Sequence, residues 1–274
     1  MFRLFCGLVL FLELALSLNC RAQRSRYWQD KPGTWQISAG LGATRYAGDL
    51  NESGSLTRLR LGAAINGAIT YRLSYRLSLR AEGQIYYIYG SQKDTRNFYN
   101  NLSFFSLNPD IWAGVQLDLW PVNHPTLGNA PYALLGAGLT YMRPRTTFEG
   151  KSYGLAELRT EGVSYNLFPP IIRYGMGMPV YTSHRIRVQL EGTYTHVLSD
   201  YLDDVSTVYV DQSTLTPLAA VLADRRAEIG WPLNRPGEQR GNSTRNDGYW
   251  VFSGRFVYVL STPLYQNYRQ KFGR

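Results

Sequence analysis

Between residues 35 and 260 one pattern recurs eight times: apolar side chains at every second position, with small or polar residues in the gaps. Trp35, Ile37, Ala39 and Leu41 alternate with Gln36, Ser38, Gly40 and Gly42, and Leu61, Ala63, Ile65, Gly67, Ile69 and Tyr71 repeat the pattern. It returns at 77–89, 107–119, 133–141, 172–178, 186–194 and 250–260. A side chain that changes face at each residue belongs to a strand, whereas a helix returns to one face every three or four residues. The chain is expected to be all-β.

The gap residues decide which kind of sheet this is. Arg80, Glu82, Asp118, Arg187, Glu191 and Arg255 fall in the middle of segments. A soluble sandwich would place them on a solvated outer face. A membrane barrel turns them into its lumen, where opposite charges can pair, and gives the apolar set to lipid. The segments reach the roughly 9–11 residues that a tilted strand needs to cross a bilayer, and a closed ring leaves no strand edge for lipid to satisfy.

Connections alternate in length as well. Those at 47–59, 90–102, 142–170 and 199–248 are long, while those near 74–75, 120–129 and 181–184 are shorter. Long loops at one end and short turns at the other mark the outer-membrane type. Trp35, Tyr71, Tyr75, Trp120, Tyr132, Tyr141 and Trp250 lie near segment ends, where interfacial aromatic girdles belong. The expected fold class is an all-β, eight-stranded antiparallel transmembrane outer-membrane β-barrel, with long extracellular loops and both termini periplasmic. Eight strands leave an interior that side chains just fill. The six charged residues are therefore expected to form a packed lumen network.

Composition narrows the function. Residues 1–22 carry Arg3, an apolar run at 4–18 and the Cys20-Arg21-Ala22 cleavage context of a signal peptide. Both cysteines, Cys6 and Cys20, lie within it, which excludes thiol chemistry from the mature chain. Losing Arg3, Arg21 and Glu13 takes the net charge from +9 to +8. The bases are dispersed and no groove-reading motif accompanies them, so nucleic acid is excluded. The expected organisation is a signal peptide at 1–22, a periplasmic lead at 23–33, the barrel at 34–260 and a basic periplasmic tail at 261–274. Arg24, Arg26, Lys31, Arg72, Arg76, Arg185 and that tail form a basic periplasmic rim suited to an acidic partner or to anionic headgroups.

One stretch breaks the basic tone: residues 199–211, "SDYLDDVSTVYVD". Three readings compete. His196 with Asp200, Asp203 and Asp204 could pose as a catalytic rim, but one histidine with no nucleophile context falls short of an acid–base pair. Asp200, Asp203, Asp204 and Asp211 offer oxygens to calcium, yet not at the spacing of a calcium loop. In the third reading the acids order the longest loop by pairing with Arg225, Arg226, Arg235, Arg240 and Arg245. The third is preferred. No catalytic residue, cofactor or metal ligand is assigned.

Three blocks carry a family resemblance: "RYAGDL" after the first segment, "SDYLDDVSTVYVD" after the seventh and "QRGNSTRNDGYW" leading into the eighth. In this order and at these distances they resemble the PorG-like outer-membrane barrels, which are components of the type IX secretion system. Tyr46, Gly48, Asp49 and Leu50 match the first block. Tyr201, Leu202, Asp203, Asp204, Val205 and Ser206 match the second, and Gln239, Arg240, Gly241 and Asn242 the third. The resemblance implies a barrel without enzymatic activity or small-molecule substrate. Its partners would be outer-membrane lipid and a periplasmic ring of a PorK-like lipoprotein and a PorN-like protein.

Overall fold

The computed structural model describes residues 31–50, 60–93, 95–122, 130–183 and 185–260. The leader, the lead as far as residue 30 and the tail lie outside the described residues. Ten strands follow in order: β1 (Trp35–Ala47), β2 (Leu61–Arg72), β3 (Leu77–Ser91), β4 (Ser103–Asp118), β5 (Tyr132–Thr140), β6 (Arg145–Phe148), β7 (Lys151–Gly154), β8 (Pro170–Thr182), β9 (Ile186–Val197) and β10 (Gly248–Val259).

Each strand pairs antiparallel with its neighbours, in the order β3-β2-β1-β10-β9-β8-β5-β4, and β3 pairs with β4. Leaving aside the small β6–β7 hairpin, eight strands therefore close into a ring. Every spanning strand has a partner on both sides, which lipid requires because it cannot hydrogen-bond a bare edge. The β6–β7 hairpin stands above the ring and joins the β4 ladder at one register pair, Phe105↔Arg145.

The alternation sorts the two faces. Leu41, Ile65, Ile69, Leu107, Ile111, Leu135, Met176, Phe252 and Phe256 are each more than half exposed on the outside. Asn66, Arg80, Glu82, Gln84, Asn108, Asp110, Gln116, Glu191 and Arg255 are buried inside. An apolar surface continuous round the whole ring, over a polar interior, is the inverse of a soluble protein and suits only a lipid surround.

Aromatic rings mark both rims. At the short-turn end Trp35 and Tyr71 have centroids 4.7 Å apart. At the long-loop end Trp250 and Tyr174 flank Tyr194 at 4.8 and 5.6 Å. Tyr132 departs from the expectation that it joins a girdle: it is 2% exposed and points inward. Its neighbour Ala133 holds the outward phase, so strand parity overrides the preference of tyrosine for an interface.

The interior is filled by size as well as by charge. Trp112 of β4 lies inside with 1% exposure, and the facing β5 carries Gly136 and Gly138. A Cβ added at Gly136 would come within 2.5 Å of the Trp112 ring and 2.6 Å of the Ala113 carbonyl oxygen. Glycine here is a packing requirement. Gly136→Val should lower unfolding stability by about 1–3 kcal/mol, the usual cost of overpacking a filled interior. Urea unfolding in micelles measures it, and an unchanged midpoint would contradict this packing.

Candidate functional site

Two arrangements gather polar chemistry: the middle of the lumen and the loops above the mouth. In the lumen, Arg80 forms a two-pronged pair with Glu191 at 2.6 and 2.9 Å, and its Nε donates to Glu82 at 3.0 Å. Arg255 lies 2.8 Å from Glu82 and 3.6 Å from Glu191. Arg173 of β8 reaches Asp110 at 2.6 Å, Glu82 at 3.5 Å and the Thr195 hydroxyl at 2.8 Å. The Tyr132 hydroxyl donates to Glu191 at 2.8 Å, and the Tyr249 hydroxyl donates to Asp110. Trp112 lies under two guanidiniums, Arg80 at 5.3 Å and Arg173 at 5.5 Å from its ring centre.

Nearer the short-turn end Arg72 pairs with Asp118. Arg72, Arg80, Arg173 and Arg255 thus balance Glu82, Asp110, Asp118 and Glu191 one for one. Such pairing suits a water-poor interior, where a lone charge would be very costly.

The lumen differs from the expected set in three places. Asp118 bonds with Arg72 and not with the central group. Arg72, expected as a rim base, is 2% exposed and lies inside. Arg187 keeps the inward register but is only half-buried, at the short-turn end of β9. Arg173 was missed because its segment was read only through the apolar face of Ile172 and Tyr174. The parity of those two residues already places 173 inward.

The described parts of the long connections fold over the mouth as a cap. The third carries β6, β7 and the short helix α1 (Leu155–Leu158), and the fourth carries helix α2 (Pro217–Ala223). Leu50, Leu102, Leu155, Leu202, Val205 and Leu222 pack in a shared apolar cluster with Tyr46. The fourth connection leaves β9 and crosses to the far side. There Arg225 binds Ser103 and Thr146 at 3.2 and 3.0 Å, and Arg226 binds Asn100 at 2.9 Å.

Within this cap the three sequence blocks meet. The Tyr46 hydroxyl lies 2.5 Å from Asp203, and the Asn242 N–H donates to Asp49 at 2.5 Å. Asp204 accepts from the Thr160 hydroxyl, from the Tyr165 hydroxyl at 2.7 Å and, at 3.6 Å, faces Arg240. Arg240 also binds Glu161 at 2.8 Å and the Asp204 carbonyl at 2.5 Å. Glu161 in turn accepts the N–H groups of Ser206 and Thr207 at 2.9 and 3.2 Å. Tyr201 stacks on Tyr165 at 4.4 Å, and the Gln239 side chain donates to the Gly241 carbonyl at 3.0 Å. Gly48 and Gly241 sit where a side chain would run into Tyr46 and Asp247, and into Asp49 and the Ser206 backbone, respectively.

Of the five loop arginines expected to pair with the acidic stretch, Arg240 does so. Arg225 pairs with Glu228 instead, at 2.6 Å. Glu161 and Asp247, from outside the stretch, hold as many of its groups as Arg240 does; the Leu202 N–H, for example, donates to Asp247 at 3.1 Å.

Burial shapes the acids. It pushes Asp200 up to about 7, with Asp49 and Glu161 adding repulsion. It raises Asp204 to about 6 against the pull of Arg240. His196 lies on the outward phase of β9, its ring 6.5 Å from Tyr194, while Asp203 and Asp204 are enclosed within the cap. Among the described residues no three His, Cys, Asp or Glu side chains are arranged to hold a metal ion.

Ring, apolar belt and charged interior define a small membrane-spanning β-barrel of the outer-membrane type. No family model matches the sequence, and no curated protein matches it. Among solved structures the chain is similar to Neisserial surface protein A, with 10% identity and a TM-score of 0.42, over 82% of this chain and 96% of that one. It is similar also to OprG from Pseudomonas aeruginosa, with 13% identity and a TM-score of 0.41, over 85% and 98%. Ail, the attachment invasion locus protein of Yersinia pestis, matches with 12% identity and a TM-score of 0.37, over 83% and 99%. The likenesses are distant, and the fold rests on the strand pairing itself.

Glu82 touches Arg80, Arg173 and Arg255 together. Glu82→Gln should cost about 3–5 kcal/mol of stability, since removing one partner leaves buried charge uncompensated. Leu107→Val on the lipid face should cost far less. Equal unfolding midpoints for the two variants would contradict the network.

Proposed function

We propose that this chain is a non-enzymatic integral barrel of the Gram-negative outer membrane that works through its two ends, as a PorG-like anchor for the periplasmic part of a type IX secretion machine. The observation that carries the first half is the filled, charge-balanced interior beneath a folded cap, which leaves the end surfaces as the parts able to act. The secretion role rests on the three blocks. Their residues meet in one unit with a buried centre at Tyr46, Asp203, Asp204 and Arg240, which gives a physical reason for "RYAGDL", "DYLDDVS" and "QRGN" to occur together in one chain.

Burial also removes Tyr46, Leu50, Leu202, Asp203, Asp204, Val205, Ser206 and Arg240 from the search for a docking surface, although Gln239 and Asn242 stay exposed. Side chains enclosed in the cap cannot meet a partner, so the ring would bind at the opposite, short-turn end. That end offers Lys31 and Arg76, both exposed, and Arg185, which is half-buried and donates to the Tyr258 hydroxyl at 3.1 Å. The tail at 261–274 adds Arg269, Lys271 and Arg274 in sequence. On this reading the short-turn end and both termini are periplasmic, and a basic rim would speed encounter with an acidic face of the ring.

A second reading, a structural or adhesive barrel without a role in secretion, is favoured by one feature of the loops. Phe98, Tyr99 and Trp231 group with ring centres 5.9–6.1 Å apart, and Phe98 and Trp231 are about half exposed, as are Ile229 and Leu233 of the same connection as Trp231. Exposed apolar patches of this kind mark contact sites.

Deleting the gene and comparing the proteins exported to the cell surface and medium separates the two. Retention of type IX cargo in the periplasm is expected, with loss of ring recovery on removing residues 263–274 while the barrel still inserts. Normal export would reject the anchor and leave the aromatic patch, tested by Trp231→Ala in a surface-binding assay.

A further inference from the structure

The junction of cap and barrel contains an unusual set of three side chains. The phenol oxygen of Tyr46, at the long-loop end of β1, lies 2.5 Å from Asp203 Oδ2 and 3.2 Å from Asp247 Oδ1. All three residues are 1% exposed. The remaining carboxyl oxygens are in use: Asp203 Oδ1 accepts the Val205 N–H at 2.9 Å, and Asp247 Oδ2 accepts the Leu202 N–H at 3.1 Å. A tyrosine hydroxyl has one proton to donate. With both carboxyls ionised, one of the two contacts would set lone pair against lone pair in a place where water cannot screen it. One added proton resolves the geometry. The hydroxyl then donates to Asp203, and a protonated Asp247 donates to the phenol oxygen.

Among the described residues neither buried base of the cap, Arg225 or Arg240, pairs with these two carboxyls. Asp49 follows β1, Asp200 and Asp204 begin the fourth connection, Glu161 and Tyr165 come from the third, and Tyr194 faces Asp247 from β9. Arg240 is occupied by Asp204 and Glu161, and the exposed Arg245 acts on Asp49. We infer that the Asp203–Tyr46–Asp247 bridge holds one shared proton and acts as a pH-operated latch, fastening the loop cap to β1 and β10 and opening with release of that proton.

The electrostatics point the same way. Burial, with Asp49 and Asp200 close by, raises both Asp203 and Asp247 well above the ordinary carboxylate range. In an open cap the same groups would be ordinary, solvated carboxyls titrating near pH ~4. The closed cap therefore binds one proton more than the open one above that pH. Its stability is full in acid and declines as pH rises, the open fraction growing about tenfold per pH unit for one proton released. Asp200, raised to about 7, adds to the slope only below neutrality. The range above pH ~8 isolates the latch, since that carboxyl has by then titrated.

The test uses the full chain refolded into phosphatidylcholine vesicles. Trypsin cutting after Arg240, which is 5% exposed in the closed cap, is timed at several pH values above 8. Wild type is compared with Asp247→Asn and Asp203→Asn, whose amide N–H groups replace the shared proton permanently. The ratio of wild-type to variant cutting should climb about tenfold per pH unit. A ratio independent of pH would overturn the inference. So would re-protection of the wild type by calcium alone, which would make a cation the missing partner. Infrared spectra of the wild type need no variant to fold: a protonated carboxyl C=O band should persist at pH ~8, far above the ordinary carboxylate range. Its absence would equally sink the latch.

Discussion

Everything in this barrel depends on neutralising charge in a space that water cannot reach. Closing eight strands satisfies the backbone in lipid, but it commits every inward side chain to a narrow interior. Four guanidiniums enter that space from β2, β3, β8 and β10, and four carboxylates from β3, β4 and β9 meet them. Several of the pairs run between strands that are not neighbours, such as Arg80 of β3 with Glu191 of β9 and Arg173 of β8 with Asp110 of β4. They therefore act as struts across the ring and fix its cross-section in a way that hydrogen bonds along the wall alone do not.

The cap follows the same rule with a different balance. Arg240 offsets Asp204 and Glu161, but Asp203 and Asp247 are bridged by a hydroxyl and backbone N–H groups. The lumen pairs its buried charges one for one, whereas the cap holds more buried acids than bases. Scaffold and lid are thus built from similar residues in different proportions.

Much of the scaffold was legible in the sequence because a period of two reports which face each residue occupies. Arg80, Glu82, Glu191 and Arg255 could be placed inside without coordinates. The errors came from relaxing that rule. Tyr132 was assigned by residue type and Arg72 by its place beside a turn, although both fall on the inward phase of their strands. The cap was not legible in this way. Tyr46 and Asp203 are 157 residues apart, and no local pattern announces their contact. Periodicity describes elements, whereas loops are organised by partners far along the chain. The sequence blocks hinted that 46–50, 201–206 and 239–242 belong together, but not that Glu161, Thr160, Tyr165 and Asp247 complete the unit.

The interior is a filled strut and not a path. Reconstitution into a planar bilayer, with single-molecule current recorded under applied voltage in potassium chloride, tests it most directly. Insertion without discrete conductance steps is the predicted result. Stepwise ohmic currents from a pure, folded preparation would mean that water threads the charged lumen, and would contradict the account.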